Sequence, residues 1–279
     1  MWSLLSFGQT SGCTDIAAEN YDPTATNNDG SCTYCSSVVD YDSTLPNPIV
    51  IGSDLSNEHM AVADDCPIVV GLKAHYRFAG DIIPTGDTYR ALTGESPTSG
   101  IDPTLDPGTA TWNYLLSVNL GTLTFEEVNV YLDIDFDSAD GAGQVGPFVA
   151  DVSQTMIDNG LGATSFVQDS QNLGFGFWQA LGSPDILPFD PFANGVYDIA
   201  IRVVSPEGVE LINVPIRVVT FTEGCTDSAA CNYDANATDD DGSCIIPVAD
   251  CSVCNATNDG LDIVDTDGDG VCDADEVAG

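Results

Sequence analysis

Residues 12–32 read GCTDIAAENYDPTATNNDGSC and residues 224–244 read GCTDSAACNYDANATDDDGSC, identical at 15 of 21 positions with a constant offset of 212. No other feature restricts the fold so strongly, because so short a segment cannot bury a core and needs a covalent staple. Each copy holds two cysteines 19 apart, Cys13 and Cys32 in the first and Cys225 and Cys244 in the second. They are expected to pair within each copy. An Asn-Tyr-Asp triplet separates them, and Asp-Gly-Ser leads into the second cysteine as a turn would.

The repeat divides the chain of 279 residues. Residues 1–11 read as the remnant of a signal peptide or as an N-terminal arm. They offer the apolar Trp2, Leu4, Leu5 and Phe7 with small Ser6 and Gly8 but no basic start. Residues 12–39 are the N-terminal Cys/Asp module, 40–222 a central domain, 223–250 the C-terminal copy and 251–279 an Asp-rich calcium loop segment. Gly279 could open another copy, so the natural polypeptide is expected to continue.

The central domain holds every basic residue: Lys73, Arg77, Arg90, Arg202 and Arg217. Val128, Val130, Leu132, Ile134 and Phe136 alternate with Asn129, Tyr131, Asp133, Asp135 and Asp137, the period of a half-buried strand. Residues 196–204 and 209–219 flank Ser205-Pro206-Glu207-Gly208 as a hairpin would, and Pro215 implies an edge or a bulge. Residues 49–51, 68–78 and 112–120 are further strand candidates, while 156–159 and 177–181 predict short helical turns. The fold class is therefore all-β, an antiparallel β-sandwich, immunoglobulin-like or jelly-roll, flanked by small disulfide-stapled calcium modules.

Net charge excludes one class of partner. With 44 acids, 5 Lys and Arg and a formal charge of −39, nothing can neutralise phosphates, so nucleic acid is excluded. No apolar run approaches the ~18 residues of a membrane span. The 57 residues from Glu223 onward carry 15 acids and no base.

Part of that acidity has metal-ligand spacing. Counting Asp265 as position 1 places Asp265, Asp267, Asp269 and Asp273 at slots 1, 3, 5 and 9, the Val271 carbonyl at 7 and Glu276 at 12, with Gly270 at the sharp turn. These are the slots of a calcium loop. Hard oxygen donors without histidine select calcium over zinc or copper. Two weaker candidates remain. Asn27-Asn28-Asp29-Gly30 and Asp239-Asp240-Asp241-Gly242, with Asp15, Asp22, Asp227 and Asp234, either hold an ion in each module or form Asx turns presenting the cysteine. Asp133, Asp135, Asp137 and Asp140 either share a cation or form a solvated sheet face.

The repeat resembles the GCTDxxAxNYDPxATxDDGSC modules of secreted and surface proteins of Bacteroidota-type Gram-negative bacteria, where such modules are linkers or stalk elements. The acidic loop resembles the calcium repeats of thrombospondin type 3 and dockerin-like segments, and the last hairpin is similar to that of bacterial immunoglobulin-like domains. These resemblances imply an extracellular or cell-surface location.

Ten cysteines favour disulfides and an oxidising compartment. Beyond the two intramodule pairs, Cys35 is expected to bridge to Cys66, and Cys231–Cys251 and Cys254–Cys272 are the favoured remaining bonds, although spacing alone leaves the connectivity open. The CxxC spacings Cys32/Cys35 and Cys251/Cys254 have no accompanying ligand set for zinc. Asn236-Ala-Thr238 and Asn255-Ala-Thr257 fit N-glycosylation, and the Asp-Ser steps at 42–44, 137–139 and 227–229 resemble bacterial O-glycosylation sites.

His59 and His75 lie in no metalloprotease or nucleophile-elbow pattern. The expectation is a noncatalytic, calcium-stabilised structural protein, the repeating subunit of a stalk, adhesin or filament that associates head to tail. The alternative is a calcium-dependent carbohydrate-binding module or lectin, with Trp112, Tyr114, Phe175, Phe177 and Trp178 as stacking surfaces for a glycan.

Overall fold

The computed structural model describes residues 9–46, 56–64, 66–102, 104–139, 147–248, 252–266, 268 and 272. Contacts divide the chain into two compact units, Met1–Val219 and Thr220–Gly279.

In the first unit the N-terminal module contributes β1 (Ser11–Gly12) and β2 (Asn27–Asn28), paired in parallel. There follow β3 (Asp40–Ser43), β4 (Met60–Ala63), β5 (Val69–Tyr76), β6 (Gly80–Asp81), β7 (Thr88–Leu92), β8 (Glu95–Pro97), β9 (Leu105–Ala110), β10 (Trp112–Asn119), β11 (Asn129–Ile134) and β12 (Phe148–Asp151). Helix α1 (Val152–Asp158), β13 (Phe166–Gln171), α2 (Gly176–Ala180), β14 (Gly195–Val204) and β15 (Glu210–Phe221) complete the central region.

Two sheets make the sandwich. One has the order β13-β10-β5-β4-β3 with β6 added beside β5, the other β12-β11-β14-β15-β7. Their inner faces share one core, in which Val70, Leu72, Ala74, Trp112, Leu116 and Val118 meet Val130, Leu132, Ile134, Ile199, Ile201 and Val214. Burying each such aliphatic side chain contributes about 1.5–3 kcal/mol.

The alternation in β11 is the one its sequence predicts, with Val130, Leu132 and Ile134 inward. The hairpin also forms: Ser205 N donates to Val209 O at 2.8 Å and Gly208, at φ 85°, makes the turn. For Pro215 the edge alternative does not hold. Its strand β15 lies between β14 and β7, not at the sheet edge, although the five residues of β7 cover less than half of the twelve in β15. The first helix begins earlier than its apolar pattern implies, because Asp151 caps it by accepting from Gln154 N at 2.8 Å. The strand expected at 49–51 lies outside the described residues.

The β5 sheet differs from its partner in that its central strands β4, β5 and β10 are buried on both faces. Its outer side carries an apolar cluster of Leu45, Met60, Val62 and Leu115. Beside it lie buried Lys73, His75, Asn113 and Ser117.

The second unit repeats the module as β16 (Glu223–Gly224) and β17 (Asp239–Asp240), again in parallel, and adds the antiparallel hairpin β18 (Ser252–Cys254) and β19 (Leu261–Ile263).

Candidate functional site

Each module is built around the residues that the two copies share. Disulfides join Cys13 to Cys32 and Cys225 to Cys244, with Cα atoms 4.8 Å apart in both. Asn20 donates to Ser31 O at 2.7 Å and accepts from Thr33 N at 2.8 Å; Asn232 makes the same bonds to Ser243 O and Ile245 N, both at 2.8 Å. That amide is not buried, and it braces the residues on either side of the second cysteine.

The carboxylates of the repeat are turn acceptors. Asp22 takes Thr24 N and Asp234 takes Asn236 N, each at 2.8 Å. Asp29 and Asp241 accept from Ser31 N and Ser243 N at 3.0 and 2.8 Å. Asn28 and Asp240 accept from Gly30 N and Gly242 N, whose φ values of 78° and 75° need glycine. Hydrogen bonds from the serines hold Asp29 and Asp241 below the usual carboxylate range. Of the two readings left by the sequence, the geometry is that of Asx turns.

Asp265 opens the acidic loop two residues after β19, and its Oδ1 accepts from Gly268 N at 2.7 Å. Asp267, Asp269, Val271, Asp273 and Glu276 lie outside the described residues. An all-oxygen donor set of this kind fits calcium. Among the described residues no three His, Cys, Asp or Glu side chains converge as a metal-holding group.

The remaining cysteines require a correction. Cys35 bonds Cys66 as expected, but Cys231 bonds Cys254, so neither Cys231–Cys251 nor Cys254–Cys272 forms. Cys231 and Cys254 come 5.3 Å apart at their Cα atoms because the hairpin brings the end of β18 to the module. Cys272 is disulfide-bonded, and Cys251 lies outside the described residues. The four disulfides whose cysteines both lie among the described residues fit a secreted or extracellular protein, and no helix among the described residues is long and apolar enough to cross a membrane.

On the β11 face the acids are not uniformly solvated. Asp133 is gripped by Arg202 through Nε and Nη2 at 2.5 and 2.9 Å, and Asp198 by Arg217 through two bonds of 2.8 Å. Asp135 is buried, which raises its pKa, with repulsion from Asp137 and Asp198 adding to the shift. Asp133, Asp135, Asp198 and Arg217 line a cleft of about 650 Å³ with Asp87 and Pro215. Asp140 lies outside the described residues.

Lys73 and His75 are both buried on β5, which their place on an alternating strand did not reveal in the sequence. Lys73, fully buried, donates to Ser56 O at 2.8 Å, Glu58 O at 3.1 Å and the Asp81 carboxylate, satisfying all three protons. His75 bonds Ser170 Oγ at 2.9 Å and Tyr76 O at 3.0 Å, and burial pushes its pKa down to about 4. His59 lies 2.6 Å from Asp42.

The stacking candidates are mostly core. Trp112, Tyr114 and Trp178 are buried and Phe175 is half-buried, leaving Phe177, 46% exposed, against Trp178 at 4.5 Å between ring centroids. A separate apolar cleft of about 570 Å³ is lined by Phe78, Leu105 and Ile101, the last 98% exposed.

No protein-family model and no curated protein matches the chain. A solved structure, the PmoD soluble domain from Methylocystis sp. ATCC 49242 (Rockwell), is similar over 55% of this chain and 90% of that one, at 10% identity and a TM-score of 0.25. A likeness that low carries no argument about fold or function.

Proposed function

We propose that the chain is a noncatalytic, calcium-stabilised extracellular structural protein, a repeating subunit of a surface stalk, adhesin or filament on a Gram-negative bacterium. One observation carries the reading: the same stapled module, with the same Asn and Asx-turn hydrogen bonds, occurs before and after the sandwich. Related ends suit heterologous contacts, which build open assemblies. The exposed Ile101 and Phe78 supply apolar surface for such contacts.

Copies at −39 repel one another, so association needs a counterion. Calcium held by Asp265, Asp267, Asp269, the Val271 carbonyl, Asp273 and Glu276 would lower that charge and fix the acidic segment. Electron microscopy of the purified chain in millimolar calcium is expected to show extended assemblies that EDTA disperses. Monomers under both conditions would overturn the reading. Phe177 favours the second reading, a calcium-dependent glycan-binding module; monomers retained on an immobilised glycan in calcium would support it instead.

A further inference from the structure

Two serines of the sandwich domain have contrasting hydrogen-bond sets. Ser153 is 3% exposed, and its Oγ donates to Val128 O and accepts from Val130 N, both at 2.9 Å, which braces the start of β11. Ser170 is half-buried on β13, which ends its sheet among the described strands, beside exposed Asp169. Its Oγ lies 2.9 Å from His75 Nε2 and accepts from Asn113 Nδ2 at 3.1 Å.

The proton positions follow from the partners. Tyr76 O can only accept, so its 3.0 Å contact with His75 Nδ1 places the imidazole proton on Nδ1. A neutral ring then has a bare Nε2, which accepts from the Ser170 hydroxyl. Burial keeps the ring neutral by lowering its pKa to about 4. Asn113 is aimed by Asn172, whose Nδ2 donates to Asn113 Oδ1 and to Trp112 O, each at 2.8 Å. Asn172 is fully buried, and its Oδ1 accepts from Ala110 N and Gly174 N, so backbone fixes the frame. Ser170 Oγ thus gives its proton to His75 and one lone pair to Asn113. The second lone pair has no partner among the described residues.

We propose that Ser170 is a nucleophile with His75 as its base, and that it is a site of O-acylation by an activated ester. The Ser170 Oγ attacks the ester carbonyl carbon while His75 Nε2 takes the hydroxyl proton. The bond from that carbon to Ser170 forms, its bond to the leaving oxygen breaks, and the leaving oxygen receives the proton from the imidazolium. The Asp81 carboxylate, opposite His75 across β5 and β6, favours the transient cation, while Lys73, two residues along β5, opposes it. The product is one ester per chain, a modification and not turnover. The inference goes beyond the structural role proposed above and is independent of calcium.

Adding p-nitrophenyl acetate to the full chain at neutral pH, with peptide mass spectrometry to place the acetyl group, tests it. Acetylation is expected at Ser170 ahead of every other serine, absent in Ser170→Ala and slowed roughly 10²–10³-fold in His75→Gln. Glutamine keeps a side chain able to bond Ser170 and supplies no base. No acetyl group at Ser170, or the same rate in His75→Gln, would overturn the proposal. Should that variant fail to fold, the wild type decides alone. Ser170 must then react faster in the native chain than after unfolding in urea, and equal rates would contradict an activated hydroxyl.

Discussion

The first and second modules have nearly the same internal geometry and different surroundings. Asp15 and Asp227 occupy equivalent positions and accept from Ala17 N and Ala229 N at the same 2.9 Å. Yet Asp15 is 1% exposed and also accepts from Tyr34 Oη at 2.8 Å, whereas Asp227 is exposed, with Ile246 standing where the first copy has Tyr34. Ala17 packs against the sandwich core, and Cys35–Cys66 ties the end of the first module to that sandwich. In the second copy, Cys231 ties the module to its own hairpin. The shared residues thus build the module, and the few variable ones decide what it is attached to.

Acid separates the sandwich from the modules more than any other perturbation should. His75 is held neutral with a pKa of about 4, while an unfolded histidine titrates near ~6.5. Its contribution is fully present above the unfolded value and is lost as pH falls toward the folded one, about 3 kcal/mol over that window. The depressed Asp29 and Asp241 act in the same direction but only below the ordinary carboxylate range, near pH ~4. Denaturation between pH 7 and 4 should show the sandwich losing stability first. His75→Gln should flatten that slope, and an unchanged slope would remove His75 as its cause.

A smaller effect tests the difference between the copies directly. Asp15→Ala removes a buried acceptor from the half-buried Tyr34 hydroxyl and Ala17 amide and should cost about 1–3 kcal/mol. Asp227→Ala exposes one amide to water and should cost about 0.5–1 kcal/mol. Amide hydrogen exchange at Ala17 and Ala229 in the two variants reads both. Equal losses would mean that their surroundings do not distinguish the modules.

Much of this was legible in the sequence. The 21-residue identity exposed both modules and their staples, and the period-two run through Val130, Leu132 and Ile134 announced a half-wet sheet. The β5 sheet was harder to read, since a strand buried on both faces alternates apolar with polar residues only because Lys73 and His75 have internal partners. Cys231–Cys254 was hidden because Cys231 replaces a residue of the repeat and therefore carries no repeat-derived partner. The carboxylates were ambiguous for a chemical reason. Asp-Gly steps suit both metal loops and Asx turns, and the choice falls to the amides two residues onward.

The central claim is that calcium stabilises the segment that follows the second module. Calorimetry of the full chain, with calcium titrated in and then removed by EDTA, tests it most directly. The account predicts saturable binding, a higher melting temperature for the Thr220–Gly279 unit, reversal by EDTA, and loss of both effects in Asp265→Asn/Glu276→Gln. No binding, with the same melting temperature in calcium and in EDTA, would contradict it.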